Sequence, residues 1–171
     1  CEIMKKQIDY LSENKELFIQ DLNVEKIMDN QEKYLKIYSS KIKTKIKNNF
    51  NVLVRPDPYF NSDKIINRLR VRKKLSFRDI SLNIRGFLGR LSFEVVESDL
   101  INKLILTGGD TAQGVCFALG IKKLYVLKEI LPGIPLLYGS GENGRQLQIV
   151  TKAGGFGRKD SLIKLLNSLS D

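Results

Sequence analysis

Apolar side chains along this chain switch between a spacing of three or four and short unbroken runs, and the switches mark out its elements. Residues 1–14 place Ile3, Ile8 and Leu11 on one side of a helix. Residues 17–21, Leu-Phe-Ile-Gln-Asp, are an apolar run of strand length. Val24, Ile27, Met28, Gln31, Tyr34, Leu35, Tyr38, Ile42 and Ile46 then keep helical spacing, which predicts one long helix over 24–46. Lys41, Lys43, Lys45 and Lys47 crowd its C-terminal end, where cations suit the helix dipole.

Residues 50–55 predict a strand that Pro56 and Pro58 stop, and residues 64–70 a short helix. A second long helix is expected over 76–97. Ser76 and Asp79 open it as a capping box, and Ile80, Ile84, Phe87, Leu88, Leu91 and Val95 form its buried stripe. Gly86 and Gly89 interrupt that helix at a cost of roughly 1 kcal/mol each against Ala. They are either tolerated or there to allow close contact between helix and sheet. Strands follow at 103–107, 124–128 and 148–152, and helices at 110–119 and 160–168, the last facing inward through Leu162, Ile163, Leu165 and Leu166. Gly120 reads as the C-cap of the first of these helices, and residues 139–144 as a flexible polar loop. Strands alternating with helices predict an α/β fold: a largely parallel or mixed sheet flanked by helices, in a single domain over residues 1–171.

Composition adds exclusions. With 171 residues, 42% hydrophobic and 28% charged, the chain can bury a core of its own. No apolar run nears the ~20 residues of a membrane span, and the N-terminus lacks the apolar core of a signal peptide. A cytoplasmic protein without membrane contact is the simplest expectation. The chain opens on Cys1 rather than Met, inside a helical pattern already under way, as a piece of a longer protein would. There is no histidine, which removes Ser-His-Asp and Cys-His mechanisms and His-ligated metals within these residues. A general base here would be Asp, Glu, Lys or Tyr. Cys1 and Cys116 have no metal-like spacing, and Cys116 reads as a small core residue.

The net charge of +10 is uneven. Residues 41–90 hold 14 Lys and Arg against Asp57, Asp63 and Asp79, so the remainder sums to nearly zero. Such a block suits a polyanion or a solvated face. No aromatic residues interleave with it as a stacking platform requires, which makes nucleic acid the lesser reading.

Chemistry concentrates in the last third. Residues 104–112, Leu-Ile-Leu-Thr-Gly-Gly-Asp-Thr-Ala, read as a strand that turns on Gly108 and Gly109 and opens a helix. Unpaired N–H groups at the positive end of a helix dipole suit a phosphate. Thr111 could cap the helix or bond a phosphate oxygen. Asp110 could cap it, act as a base or ligate Mg²⁺; an ordinary αβ connection would use the same residues. Lys152 precedes a second glycine loop, Ala153-Gly154-Gly155-Phe156-Gly157, where it could reach a phosphate or simply be solvated. Pro132-Gly133-Ile134-Pro135 is a stiff turn that could wall an adenine pocket or only connect. Neither a Walker A loop nor a GxGxxG fingerprint is present. Two glycine loops in one domain suggest a nucleotide polyphosphate held between them.

Residues 108–112 (Gly-Gly-Asp-Thr-Ala), 129–135 (Glu-Ile-Leu-Pro-Gly-Ile-Pro), 139–144 (Gly-Ser-Gly-Glu-Asn-Gly) and 152–157 (Lys-Ala-Gly-Gly-Phe-Gly) stand in an order that resembles the C-terminal, nucleotide-binding domain of the four-carbon acid sugar kinases. The resemblance is specific over about 104–169. Upstream it is looser, resting on Gln7 and the strand at 51–55. It implies an ATP-dependent kinase that phosphorylates an erythronate- or threonate-like sugar acid on its terminal hydroxyl. The acid-binding N-terminal domain would lie outside these residues, and this piece alone would be inactive. The resemblance places Gly108, Gly109, Asp110 and Thr111 around the ATP phosphates, with Gly154 and Gly155 lining the same site; Lys152 joins them as a candidate from its place before the second glycine loop. Mg²⁺ is the implied metal, and Asp110 the first candidate for holding it or for base work. A serine ahead of Cys1 would also contact ATP. The oligomeric state is open. The rival readings are a non-catalytic nucleotide-binding or regulatory module and, behind it, a basic nucleic-acid-binding domain.

Overall fold

The computed structural model describes residues 2–57 and 63–170. Cys1 and Pro58, assigned above to a helix start and a strand stop, lie outside the described residues. In chain order the elements are α1 (Glu2–Asn14), β1 (Leu17–Leu22), α2 (Val24–Asp29), α3 (Gln31–Lys47), β2 (Asn51–Pro56), α4 (Asp63–Lys73), α5 (Phe77–Val96), β3 (Lys103–Thr107), α6 (Gly109–Ala118), β4 (Leu124–Leu131), β5 (Ile134–Ser140), β6 (Gln146–Lys152) and α7 (Ser161–Ser170).

β1 and β2 pair in parallel. The other strands form one mixed sheet in the order β3-β6-β5-β4, with β3 parallel to β6 and the remaining pairs antiparallel. The fold is therefore α/β with a mixed sheet. Register sorts the side chains by face. Leu104, Leu137 and Ile149 stand across from one another, and they pack with Val115 of α6 and with Leu119 at its C-cap. Leu136 and Val150 face the other way, onto Leu165 and Leu169 of α7. α1 joins that layer, where Ile8, Leu11 and Leu162 pack with Ile19, Leu53 and Ile105. A further core lies among α3, α5, β1 and β2. There Phe87, fully buried, meets Tyr38 edge-on at 6.2 Å.

Three expectations change. The helix over 24–46 is two helices jointed at Asn30, whose N–H bonds Lys26 O to close α2 while its side chain accepts from Lys33 N to open α3. Periodicity runs through the joint because both helices face one core. In α1 the buried positions are Gln7, Ile8 and Leu11, and Ile3 is 43% exposed at the rim. The polar loop at 139–144 begins inside β5. That strand is hidden from propensity by Pro135 and Gly139, yet a Cβ on Gly139 would stand 2.9 Å from Leu124 Cδ2, so glycine lets the Leu124 side chain lie close against the strand.

The basic block is also resolved in space. Lys43, Arg55, Arg68, Arg72, Lys73 and Arg90 pair with Glu94, Asp21, Glu25, Asp29 and Glu32, all from outside residues 41–90. Much of the charge run is thus a paired, solvated face.

Candidate functional site

β3 and β6 run side by side in the same direction, so their C-terminal ends share one edge of the sheet. Thr107 pairs with Lys152, and one residue on, Gly108 N donates to Lys152 O at 2.8 Å. The two glycine loops are therefore neighbours tied by a backbone bond. Ligands in open α/β sheets sit at this position, beyond the carboxyl ends of parallel strands.

The first loop is built by Gly108. It is the N-cap of α6 with φ +92°, a conformation that glycine adopts without strain. Ala112 N bonds Gly108 O at 3.0 Å, which leaves the amides of Gly109, Asp110 and Thr111 without an intrahelical acceptor. No side chain caps them. Asp110 is exposed, and among the described residues neither its carboxylate nor the Thr111 hydroxyl makes a hydrogen bond. A Cβ on Gly109 would meet nothing within 4 Å, and the same holds for Gly154 in the second loop. Space is thus open beside Gly109 in the first loop and beside Gly154 in the second.

The second loop is shaped from beneath. Lys152 lies two residues after Val150 and so points to the same α7 side of the sheet, where it is 3% exposed. Its Nζ donates to Ala153 O at 2.9 Å, Gly154 O at 3.2 Å and Phe156 O at 3.0 Å. All three ammonium donors are thereby used. Burial pushes the Lys152 pKa below the ordinary lysine value. The side chain expected to reach a phosphate instead holds the carbonyls of its own loop. Gln7, fully buried on α1, donates from Nε2 to Phe156 O and Arg158 O, each at 3.0 Å. At the loop's far end Arg158 N donates to Ser161 Oγ at 2.8 Å. Among the described residues the amides of Gly154, Gly155 and Gly157 have no acceptor.

The hairpin turn belongs to the same edge. Pro132 and Gly133 link β4 to β5, with Gly133 at φ +73° and its N–H bonded to Glu129 Oε1 at 2.8 Å. A Cβ on Gly133 would stand 3.4 Å from the Phe156 ring, so that ring covers the turn. The segment 139–144 lies at the opposite end of β5. There Glu142 N bonds Leu119 O and helps finish α6, so it contributes nothing to this edge.

Sequence reasoning missed the part played by Gln7. Its signals were a polar residue on the apolar stripe of α1 and its place in the looser upstream resemblance. Residues 1–162 match the family model described as nucleotide-binding C-terminal domain. This chain belongs to that family. Among curated relatives, a D-threonate kinase of Salmonella typhimurium is 31% identical over 103 residues, covering 60% of this chain and 24% of that one. A 3-oxo-tetronate kinase of Pseudomonas savastanoi pv. phaseolicola is 28% identical over 100 residues, covering 58% and 23%. The matched stretch spans about a quarter of each curated relative. A solved Bordetella bronchiseptica domain of unknown function, a domain-swapped dimer with bound citrate, shares the fold with a TM-score of 0.70 at 21% identity. The match covers 98% of this chain and 38% of that one. Membership in the nucleotide-binding C-terminal family agrees with the resemblance carried by the four motif segments. Among the described residues no helix is long and apolar enough to cross a membrane.

Proposed function

We propose that this chain is the ATP-binding domain of a sugar-acid kinase, holding the nucleotide phosphates between the Gly108–Gly109 turn and the loop at 153–158. The observation that carries this reading is the pair of glycine loops at adjacent parallel strand ends, tied through Gly108 N and Lys152 O. Amides of Gly109, Asp110 and Thr111 at the start of α6, with those of Gly154 and Gly155 opposite, supply fixed positive dipoles to the phosphates. Phosphoryl transfer rests on positioning and charge neutralisation, and neither needs histidine. The named activities of the curated relatives support a four-carbon sugar acid as acceptor, and the terminal hydroxyl is the position we propose for phosphorylation. That acid would be bound by a domain preceding these residues.

Among the described residues no group of three or more His, Cys, Asp or Glu could hold a metal. A single exposed carboxylate still fits Mg²⁺, which takes one or two carboxylates and completes its shell with water and phosphate oxygens. Asp110 is that carboxylate, and Mg²⁺ there would neutralise charge on the transferring phosphoryl group.

The test is calorimetric titration of this chain with Mg-ATP. Gly154→Asp places a carboxylate in open space, so the fold should persist while saturable binding is lost. Binding that survives this variant would place the nucleotide elsewhere. In a longer protein carrying the preceding domain, Asp110→Asn should lower kcat at least tenfold with a threonate-like acceptor. Full kcat would remove Asp110 from the chemistry, and ATP binding without turnover would favour the non-catalytic module.

A further inference from the structure

The glycine loop at 153–158 has an unusual underside. Two buried side chains, distant in sequence, converge on it and between them take up its carbonyls. Lys152 Nζ holds those of Ala153, Gly154 and Phe156. Gln7 Nε2 holds those of Phe156 and Arg158 across sequence separations of 149 and 151 residues. Both donors meet at Phe156 O. Gln7 is fully buried and Lys152 nearly so, and Gln7 Oε1 is left with no partner among the described residues. Burying a lysine and leaving a buried amide half-satisfied are both unfavourable, and a solvated loop would need neither. Glycine at 157 fits the same design. Its φ is +93°, and a Cβ there would stand 2.5 Å from Ser161 Oγ and 3.3 Å from Gln7 Nε2.

A peptide unit whose carbonyl is drawn inward turns its N–H to the other side. With four of the loop's carbonyls pinned from beneath, the amides of Gly154, Gly155 and Gly157 are left toward the open side, beside the start of α6. We propose that Gln7 and Lys152 are positioning residues for the phosphate site: a two-pronged clamp that fixes the loop so that its amides form an anion cradle. The ligand class is the polyphosphate of a nucleotide, and this role rests on the phosphate reading above. Lys152 then acts through the loop rather than as a direct phosphate ligand, and α1 becomes a structural part of the nucleotide site.

Three probes on this chain test it: the Kd for Mg-ATP, the Kd for inorganic tripolyphosphate, and hydrogen exchange at the two loop amides bonded internally, Phe156 N and Arg158 N. Gln7→Met keeps volume and removes the donor; Lys152→Met is the independent second variant. The expected result in either is at least a tenfold rise in both Kd values and at least tenfold faster exchange at those amides. Exchange in the core strands β3 and β6 should stay within twofold. A merely structural residue would lower global protection and leave both Kd values alone. Wild type that binds while folded variants keep its affinity for both anions overturns the clamp alone. Wild type that binds neither anion overturns the phosphate reading and this role with it. Should one variant fail to fold, the other decides.

Discussion

Single residues in this protein differ less by type than by what surrounds their Cβ position. Gly86 and Gly89 lie in one helix, three residues apart. A Cβ on Gly86 would meet nothing within 4 Å, whereas one on Gly89 would stand 2.6 Å from the Gly114 carbonyl oxygen and 3.0 Å from Ala118 Cβ. Gly89 therefore permits close approach of α6 to α5, a contact of helix with helix rather than helix with sheet. Gly86→Ala should stabilise the chain by about 0.4–1 kcal/mol, because alanine restricts the unfolded chain and favours the helix. Gly89→Ala should destabilise it by about 1–3 kcal/mol through overpacking against backbone that cannot yield. Urea titrations of the two variants, read as midpoint shifts in opposite directions, check both. The sequence raised the question at these two positions but could not answer it, since the deciding atoms belong to α6.

At the scale of elements, the joint between α2 and α3 shows how a polar side chain can divide one amphipathic pattern. Asn30→Ala removes the acceptor of Lys33 N and should cost about 1 kcal/mol of stability, measured as a lower urea midpoint. α4 is held to α2 by charge as well as by Leu69, which is buried with Val24, Ile80 and Ile84. Asp29 pairs with Lys73 at 2.8 Å and with Arg72 at 3.0 Å. The hydrogen bond from Lys73, with added attraction from Lys73 and Arg72, holds the Asp29 carboxyl below its ordinary pKa. A carboxyl whose folded pKa is depressed contributes stability that is whole above the unfolded value, near about pH 4. That contribution is lost as pH falls through the lower folded value. α4 amides should therefore show lower protection factors, exchange being normalised to the intrinsic rate at each pH, in acid than at neutrality, and less so in Asp29→Asn, which lacks the titrating group. High salt should weaken the same contact, as expected for exposed pairs.

Across the whole molecule, β6 is the organising strand. It lies between β3 and β5, carries apolar side chains to both faces, and ends in Lys152. Ile149 is fully buried under α6. Ile149→Ala should cost about 2–5 kcal/mol, seen as a lower urea midpoint at unchanged slope. The exposed counterpart is β4, an edge strand whose Tyr125, Val126 and Leu127 are all more than half exposed.

Local pattern was enough to determine the α/β class, most of the elements, the capping box at Ser76 and the two glycine turns. Each depends on spacing, on backbone conformations open to glycine, or on a side chain reaching amides a few residues away. The strand Ile134–Ser140 was illegible because proline and glycine mask it, and only its pairing with both neighbours makes it a strand. Only the tertiary structure decided that the two glycine loops adjoin, that the segment 139–144 lies at the other end of the sheet, and that Lys152 points inward to join Gln7. Those outcomes depend on strand order, on the parity of side chains along β6 and on the docking of α1. They are set by pairing and packing between residues well separated along the chain, from 45 positions between Lys103 and Gln148 to 149 between Gln7 and Phe156, which no local spacing records.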